Sequence, residues 1–326
     1  MMGLIVNPHA RRGRDPELAD RLWQVIRRAG AQGRTHLVVT PDLAALREAV
    51  ASFAAKGVPL VATCGGDGTT MATVTELVRA YGPRHLPSLM LLRGGSVNTI
   101  ARNLHIRGRP EQLLARALER LRVPEDLALW PGWPQGLLRV RDRLQGRDGP
   151  ERFGCLFAAA MGARFLELHL ASPRQSLGQA VALMLRTVAS TLVPGGGPLA
   201  RRLFAQTEVR LWVDGEQVPQ GHVRLVLAAT VPDVGLGMRV AWQAGRVPGR
   251  LHVVASGLAI GTMARQLGRV RRGEPLGGGP HLDRLATSLR VQFVQPQPYT
   301  LDGDLFRAEE LEVEAGPQLW VLGPLP

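Results

Sequence analysis

Residues 58–76, VPLVATCGGDGTTMATVTE, constrain this chain more than any other stretch: an apolar run stops at Gly65-Gly66-Asp67-Gly68-Thr69-Thr70 and then resumes with helical spacing. That order predicts a strand, a glycine turn and a helix start. Glycines permit positive φ and leave room for a bulky anion, and Thr69 or Thr70 is placed to cap the helix, whose free N–H groups attract phosphate. A carboxylate at Asp67 would repel a phosphate. Its presence therefore points to a Mg²⁺ ion or a substrate hydroxyl between the two. The other reading of the same residues is a tight strand-to-helix turn that holds no ligand.

Around this segment the first part of the chain alternates strand-like and helix-like stretches. Strands are expected at 4–6, 36–39, 60–64 and 89–92, with helices from about residue 16, from about residue 43, after the glycine turn, after Asn98 and after Pro110. This is the pattern of an α/β domain with an open, mostly parallel sheet, which binds ligands outside the carboxyl ends of its strands. Residues 65–70 follow one strand and 94–98 another, so the two glycine loops are expected to share one crevice. From about Val123 the texture changes to short apolar runs at 137–140, 153–159, 209–213, 223–230, 251–255, 289–294 and 319–322, separated by Gly, Pro and Asp-Gly turns. That spacing favours antiparallel structure. The expected organisation is an α/β domain over 1–122 and a largely antiparallel β-sandwich over 123–326, with the last strand packing back on the first domain.

GGDGT after a buried strand resembles the signature of the diacylglycerol kinase-like lipid kinases, a group that includes sphingosine and ceramide kinases and shares ancestry with NAD kinases. Three further segments fall in the family's order: Leu4-Ile5-Val6-Asn7-Pro8, Gly94-Gly95-Ser96-Val97-Asn98-Thr99-Ile100-Ala101-Arg102 and Leu301-Asp302-Gly303-Asp304. Together they span nearly the whole chain. The resemblance implies an NAD kinase-like first domain, ATP with Mg²⁺, and transfer of the γ-phosphoryl to a hydroxyl of a membrane lipid such as diacylglycerol, a sphingoid base or phosphatidylglycerol. The chain also departs from the family. Met71-Ala72 stand where Asn-Glu is usual, Thr99 stands for Asp and Asp304 for Glu; Arg246-Val247-Pro248-Gly249-Arg250 replaces a turn that in many relatives holds a structural cation. A Pro and two Arg cannot ligate a hard cation. The nucleotide cradle is kept and the acidic network is thinned.

Phosphoryl transfer needs held phosphates, a cation to spread their charge, and a base for the acceptor hydroxyl. Gly65, Gly66, Gly68 and Thr69 are the expected phosphate contacts, and Gly94, Gly95, Ser96 and Asn98 are expected to frame the nucleotide. Asn7 holds either the nucleotide or the turn. Arg93 and Arg102 are candidates for positive charge, or are solvated surface arginines. The resemblance points to Asp304 as the base, with Asp67 its rival, and to Asp67, Asp126 and Asp302 as the Asp–water–Mg²⁺ network. Asp for Glu shortens the arm, and a misplacement of about 1 Å can cost about a hundredfold in rate. Val213-Asp214-Gly215-Glu216 reproduces the late family motif literally, but Asp-Gly between two apolar runs is a hairpin signal, and family order puts the catalytic copy last.

Charge separates the remaining classes. A net charge of +13 calls for an acidic partner, and nucleotide, anionic membrane and nucleic acid all qualify. Lys56 is the only lysine and aromatics are 5%, with none of the aromatic–basic interleaving of an RNA-binding sheet, so nucleic acid is not expected. Cys64 and Cys155 form no disulfide framework or zinc spacing, which suits a reducing cytoplasm. No signal-peptide pattern opens the chain. The most apolar stretch, 177–193, is broken by Arg186 and bounded by Pro194-Gly195-Gly196-Gly197. Leu177, Val181, Met184, Leu185, Val188 and Leu192 recur there at helical spacing, opposite Gln179, Arg186 and Ser190. The expectation is an amphipathic helix facing the core; the alternative is a lipid-contacting surface flanked by Arg174 and Arg186. The function expected is thus a cytoplasmic lipid kinase that visits an anionic membrane reversibly, with a homodimer compatible. The rivals are a non-catalytic nucleotide- or lipid-binding module and an NAD kinase-like enzyme with a soluble acceptor.

Overall fold

The computed structural model describes residues 1–9, 15, 17–95, 97–121, 124–172, 176–193, 195–219, 221–279 and 281–323. Two compact units result, one of Met1–Gln135 with Gln318–Pro326 and the other of Gly136–Pro317. The boundary expected at 122–123 falls on residues outside the described set.

The first unit is an α/β layer structure. Its strands are β1 (Met2–Val6), β2 (Thr35–Val39), β3 (Leu60–Cys64) and β4 (Ser88–Leu91), and its helices α1 (Leu18–Arg28), α2 (Leu43–Ala55), α3 (Asp67–Tyr81), α4 (Thr99–Asn103) and α5 (Pro110–Arg120). The strands pair in parallel in the order β2-β1-β3-β4. Every residue of β1 and β3 is buried, as expected where helices cover both faces of a parallel sheet. α1 buries Leu18, Leu22 and Ile26, one stripe at four-residue spacing, and places Asp20 in its first turn and Arg27 and Arg28 in its last. α2 is capped by Asp42, whose carboxylate accepts the Ala45 amide at 2.8 Å.

The second unit is largely antiparallel. It opens on β5 (Gly132–Leu144), which begins in the first unit, and continues through β6 (Arg147–Asp148), β7 (Arg152–Gly154) and β8 (Leu156–Ala160). Three helices follow: α6 (Met161–Leu170), α7 (Leu177–Thr191) and α8 (Pro198–Leu203). Next come β9 (Thr207–Val213), β10 (Glu216–Val218), β11 (His222–Val223), β12 (Leu225–Ala229) and β13 (Leu251–Ser256). The short helices α9 (Ile260–Arg265) and α10 (Leu267–Arg272) precede β14 (His281–Ala286) and the long hairpin of β15 (Ser288–Leu301) and β16 (Asp304–Leu322). That hairpin changes partners along its length. β15 pairs with β9 through Leu289–Phe293 and with β8 through Tyr299–Leu301, and the change falls at an irregularity between Gln292 and Gln297. β8, β12, β13 and β14 then run on antiparallel from it. The last residues of β16 belong to the first unit, where Val321 pairs in parallel with Leu89 of β4. The parallel first sheet and the antiparallel second one are as the residue pattern predicts.

Candidate functional site

β3 ends at Cys64, a small buried thiol, and the chain turns through Gly65 and Gly66 into α3. The N-cap is Gly66, not Thr69 or Thr70 as expected, and no side chain caps the helix. Asp67 opens the helix, which leaves both threonines inside its first turn. Thr70 Oγ1 donates back to the Gly66 carbonyl at 3.1 Å, and Thr69 Oγ1 accepts Asn7 Nδ2 at 2.7 Å. A helix of 15 residues with an uncapped start presents its first amides and the positive end of its dipole to whatever lies in front of it.

The second loop lies directly against the first. A Cβ on Gly95 would come within 2.3 Å of Gly66 Cα, and one on Gly94 within 2.7 Å of the Gly65 nitrogen. At Gly94 and Gly95 side chains are thus excluded because the two backbones touch. None of Gly65, Gly66, Gly94 and Gly95 has a positive φ, so the conformational reason offered by the sequence is replaced by a steric one at Gly65, Gly94 and Gly95. The positive φ values fall instead on Arg93 (41°) and Asn98 (51°), which bracket the loop.

The polar side chains of the motifs hold these loops together. Asn98 closes its own loop, accepting the Gly95 amide at 2.9 Å and donating to the Gly95 carbonyl at 2.6 Å. The Asp67 carboxylate accepts the amides of Thr99 at 2.9 Å and Ile100 at 3.2 Å, which pins the start of α4 to the start of α3. Burial pushes the Asp67 carboxyl above its usual range, against the opposing pull of those amides and of the Arg102 charge. The Asp67 carboxylate is thus occupied at least in part by the amides that open α4. Asn7, besides its bond to Thr69, accepts the His9 amide at 2.8 Å, so of its two expected roles it is seen holding the turn. Ser96 lies outside the described residues.

In the second unit, the late motif is the tip of the β15–β16 hairpin. Asp302 (φ 46°) and Gly303 (φ 92°) form the two-residue turn, and Leu301 pairs with Asp304. Asp302 is buried, 4% exposed, and its two carboxylate oxygens accept the amides of Cys155 and Leu156, both at 2.8 Å. Gly154 makes this approach possible, since a Cβ there would sit 2.5 Å from Asp302 Oδ2. Asp304 is exposed. Behind the turn lies a network that sequence reasoning missed. Tyr299 donates its hydroxyl to Asp142 Oδ2 at 2.7 Å, Arg152 Nη1 reaches the same oxygen at 3.0 Å, and the Arg152 guanidinium lies 4.1 Å from the centre of the Phe306 ring. Burial raises the Tyr299 hydroxyl above its ordinary pKa, which keeps it a donor. No spacing in the sequence marks these four residues, because their contacts join segments far apart in the chain.

Asp126 lies in the single 3-10 turn Pro124–Leu127, half-buried. Among the described residues no three His, Cys, Asp or Glu side chains stand together as a metal site. Of the residues expected to ligate Mg²⁺, Asp67 and Asp302 direct their oxygens at backbone amides.

Residues 1–130 match the family model of the diacylglycerol kinase catalytic domain. No curated protein matches the chain by sequence. Among solved structures, the chain is similar to a proposed diacylglycerol kinase from Bacillus anthracis str. Sterne at TM-score 0.69 and 16% identity, covering 99% of this chain and 96% of that one. A diacylglycerol kinase from the same organism gives 0.61 at 14% identity, covering 99% and 96%. Yeast NADH kinase complexed with NADH gives 0.53 at 10% identity, covering 100% and 84%. At these identities the structural likeness establishes the fold.

Proposed function

We propose that this chain, a divergent diacylglycerol kinase-like protein whose first 130 residues match that family's catalytic domain, transfers the γ-phosphoryl of ATP to a hydroxyl of a membrane lipid at an anionic surface. The family match supports a kinase; the lipid acceptor is the finer step. The observation that carries the reading is the convergence of two side-chain-free loops at an uncapped helix start, a surface made of backbone that suits phosphate oxygens.

In this reading Gly65, Gly66, Gly68 and Thr69 offer amides to the donor phosphates, with Gly94, Gly95 and Ser96 beside them. Asn7, Asp67 and Asn98 act behind that surface by fixing the two loops relative to each other, so that little reorganisation is needed when phosphate arrives. Mg²⁺ would enter with the nucleotide and spread phosphate charge. Asp304 is assigned as the base that takes the acceptor proton. Asp67 is the weaker candidate because its oxygens are directed at the amides of α4. Asp302 contributes by anchoring the turn that presents Asp304.

Gly66→Asp tests the cradle. A Cβ at Gly66 has only Gly95 Cα near it, at 3.4 Å, so the side chain fits while its charge meets the phosphate. The expected outcome is a folded protein with no measurable ATP binding by calorimetry; unchanged affinity would remove the assignment. The acceptor is tested with Mg²⁺, radiolabelled ATP and a panel of lipids in mixed micelles, with NAD as a soluble control. Label on a lipid supports the proposal, label on NAD alone replaces the acceptor, and no label on either favours a binding module.

A further inference from the structure

α7 is built the wrong way round for a core helix. It buries only Ala180 and Thr187, at 4% and 7% exposure, and turns Leu185 and Leu192 outward at 61% and 80%. Leu177, Val181 and Val193 are exposed alongside them. Two of the polar positions, Gln179 and Ser190, turn toward the protein. Gln179 accepts the Ser172 hydroxyl at 2.5 Å, and Ser190 Oγ accepts the Ala200 amide of α8 at 3.0 Å. The core-facing expectation is therefore overturned for most of the stripe: Leu177, Val181, Leu185 and Leu192 face solvent, Leu183, Met184 and Val188 are half-buried, and the fully buried positions are the small Ala180 and Thr187.

The surroundings of that stripe are rich in arginine, with the half-buried Glu167 of α6, which also packs on α7, the one acidic residue of the helices packed on it. Between Glu167 and Glu208 the chain has no acidic residue, and between Asp233 and Glu274 it has none either. Those two windows hold α7 with its packed neighbours α8 and α9. Arg186 on α7, Arg201 and Arg202 on α8 and Arg265 on α9 are exposed, and none of them is ion-paired among the described residues. Arg174 lies outside the described residues. Exposed aliphatics beside these four exposed arginines, unpaired among the described residues, match the two layers of an anionic bilayer, acyl chains for the leucines and headgroup phosphates for the guanidiniums. A protein partner would have to bring its own acidic rim around an apolar face. A second copy of this chain would bring like charge to like charge.

We infer that the outward face of α7, with the arginines of α8 and α9, is the surface by which this protein docks reversibly on an anionic membrane. The inference rests on the lipid-kinase reading for its biological sense, but the surface is defined by exposure and charge alone. No helix among the described residues is long and apolar enough to cross a membrane, so the contact is one of shallow insertion.

The test is sedimentation of the full chain with phosphatidylcholine vesicles with and without phosphatidylglycerol. Binding is expected only when phosphatidylglycerol is present, and to weaken as salt is raised. Leu185→Asp with Leu192→Asp should lower partitioning by about tenfold or more, since two aliphatic side chains that enter the bilayer on docking are replaced by charges that the surface repels. Both positions face solvent, and an unchanged circular dichroism spectrum checks folding. Arg201→Gln with Arg202→Gln should weaken binding less and flatten its salt dependence. Unchanged partitioning of the leucine double variant overturns the inference, as does equal binding to both vesicle types. Dissociation of a dimer by the leucine variant in vesicle-free buffer would also overturn it, in favour of self-association. Phosphorylation of a short-chain, water-soluble diacylglycerol is measured in parallel. If it persists without vesicle binding, the surface is wrong and the kinase reading stands; if vesicles bind and no lipid is phosphorylated, the reverse holds.

Discussion

The second unit contains the same Asp-Gly turn twice, and the two copies have different surroundings. In Val213-Asp214-Gly215-Glu216 and in Leu301-Asp302-Gly303-Asp304 the Asp and Gly both take positive φ, and the flanking residues pair as a hairpin. The backbone solution is the same type I′-like turn. The carboxylates part company. Asp214 accepts the amides of Thr287 and Ser288 and the Thr287 hydroxyl at the exposed end of β15. Asp302 is buried and reaches across to β8, where two amides would otherwise lack an acceptor. Turn chemistry is local and repeatable, whereas what the turn serves depends on the strand it is packed against. A literal motif match at Glu216 thus lies in a solvated hairpin, 80% exposed and 3.8 Å from Arg284.

The sharpest way to break this contrast is by stability. Both substitutions put Ala at positive φ, but Asp302→Ala also leaves two buried amides without that acceptor and should cost about 3 kcal/mol in urea unfolding, whereas Asp214→Ala, whose amides regain water, should cost about 1 kcal/mol. Equal losses would show that burial does not distinguish the copies. Turnover comes next. Asp304→Asn should lower kcat on the lipid acceptor by about a hundredfold, roughly 2.7 kcal/mol of barrier, with ATP affinity unchanged, whereas Glu216→Gln should leave kcat within about twofold. The reverse pattern would move the chemistry to the exposed copy. The smallest effect is in pH. Burial alone would raise the Asp214 carboxyl, but the hydroxyl and amide of Thr287, the amide of Ser288 and the Arg250 charge together hold it below the usual range. A depressed folded-state value contributes stability above the unfolded value, and that contribution is lost as pH falls through the folded one. The difference in Tm between wild type and Asp214→Asn should therefore be largest near neutrality and close as pH drops below about 4. A gap that stays constant into acid would remove the charge from the account.

What could be read from the residues, and what could not, follows the range of the interactions. Strand and helix order was legible because β1, β3 and β4 are continuous apolar runs and α1 carries a clean four-residue stripe. The glycine loops were legible because glycine runs at strand ends are rare. The tasks of Asn7, Asp67 and Asp302 were not, because their partners Thr69, Thr99 and Cys155 lie far along the chain and nothing at either end announces the other. The orientation of α7 was misread for a different reason. Periodicity reports that a helix has an apolar side, and it was assumed that this side is buried; here Ala180 and Thr187 are small enough to pack closely and leave the leucines outside. The Asp142–Arg152–Tyr299 network carries no sequence signal at all.

The return of β16 to the first unit has a consequence for the order in which the protein can be finished. During synthesis β1 to β4 emerge early, yet the strand whose Val321 pairs with Leu89 is made only after the whole of residues 136–317. Until then β4 presents an open edge of apolar residues to the cell, the kind of edge that recruits stray strands. Completion of the first unit thus waits on the translation of the other, and a ribosome stalled before Val321 would leave a chain whose α/β sheet is still one strand short.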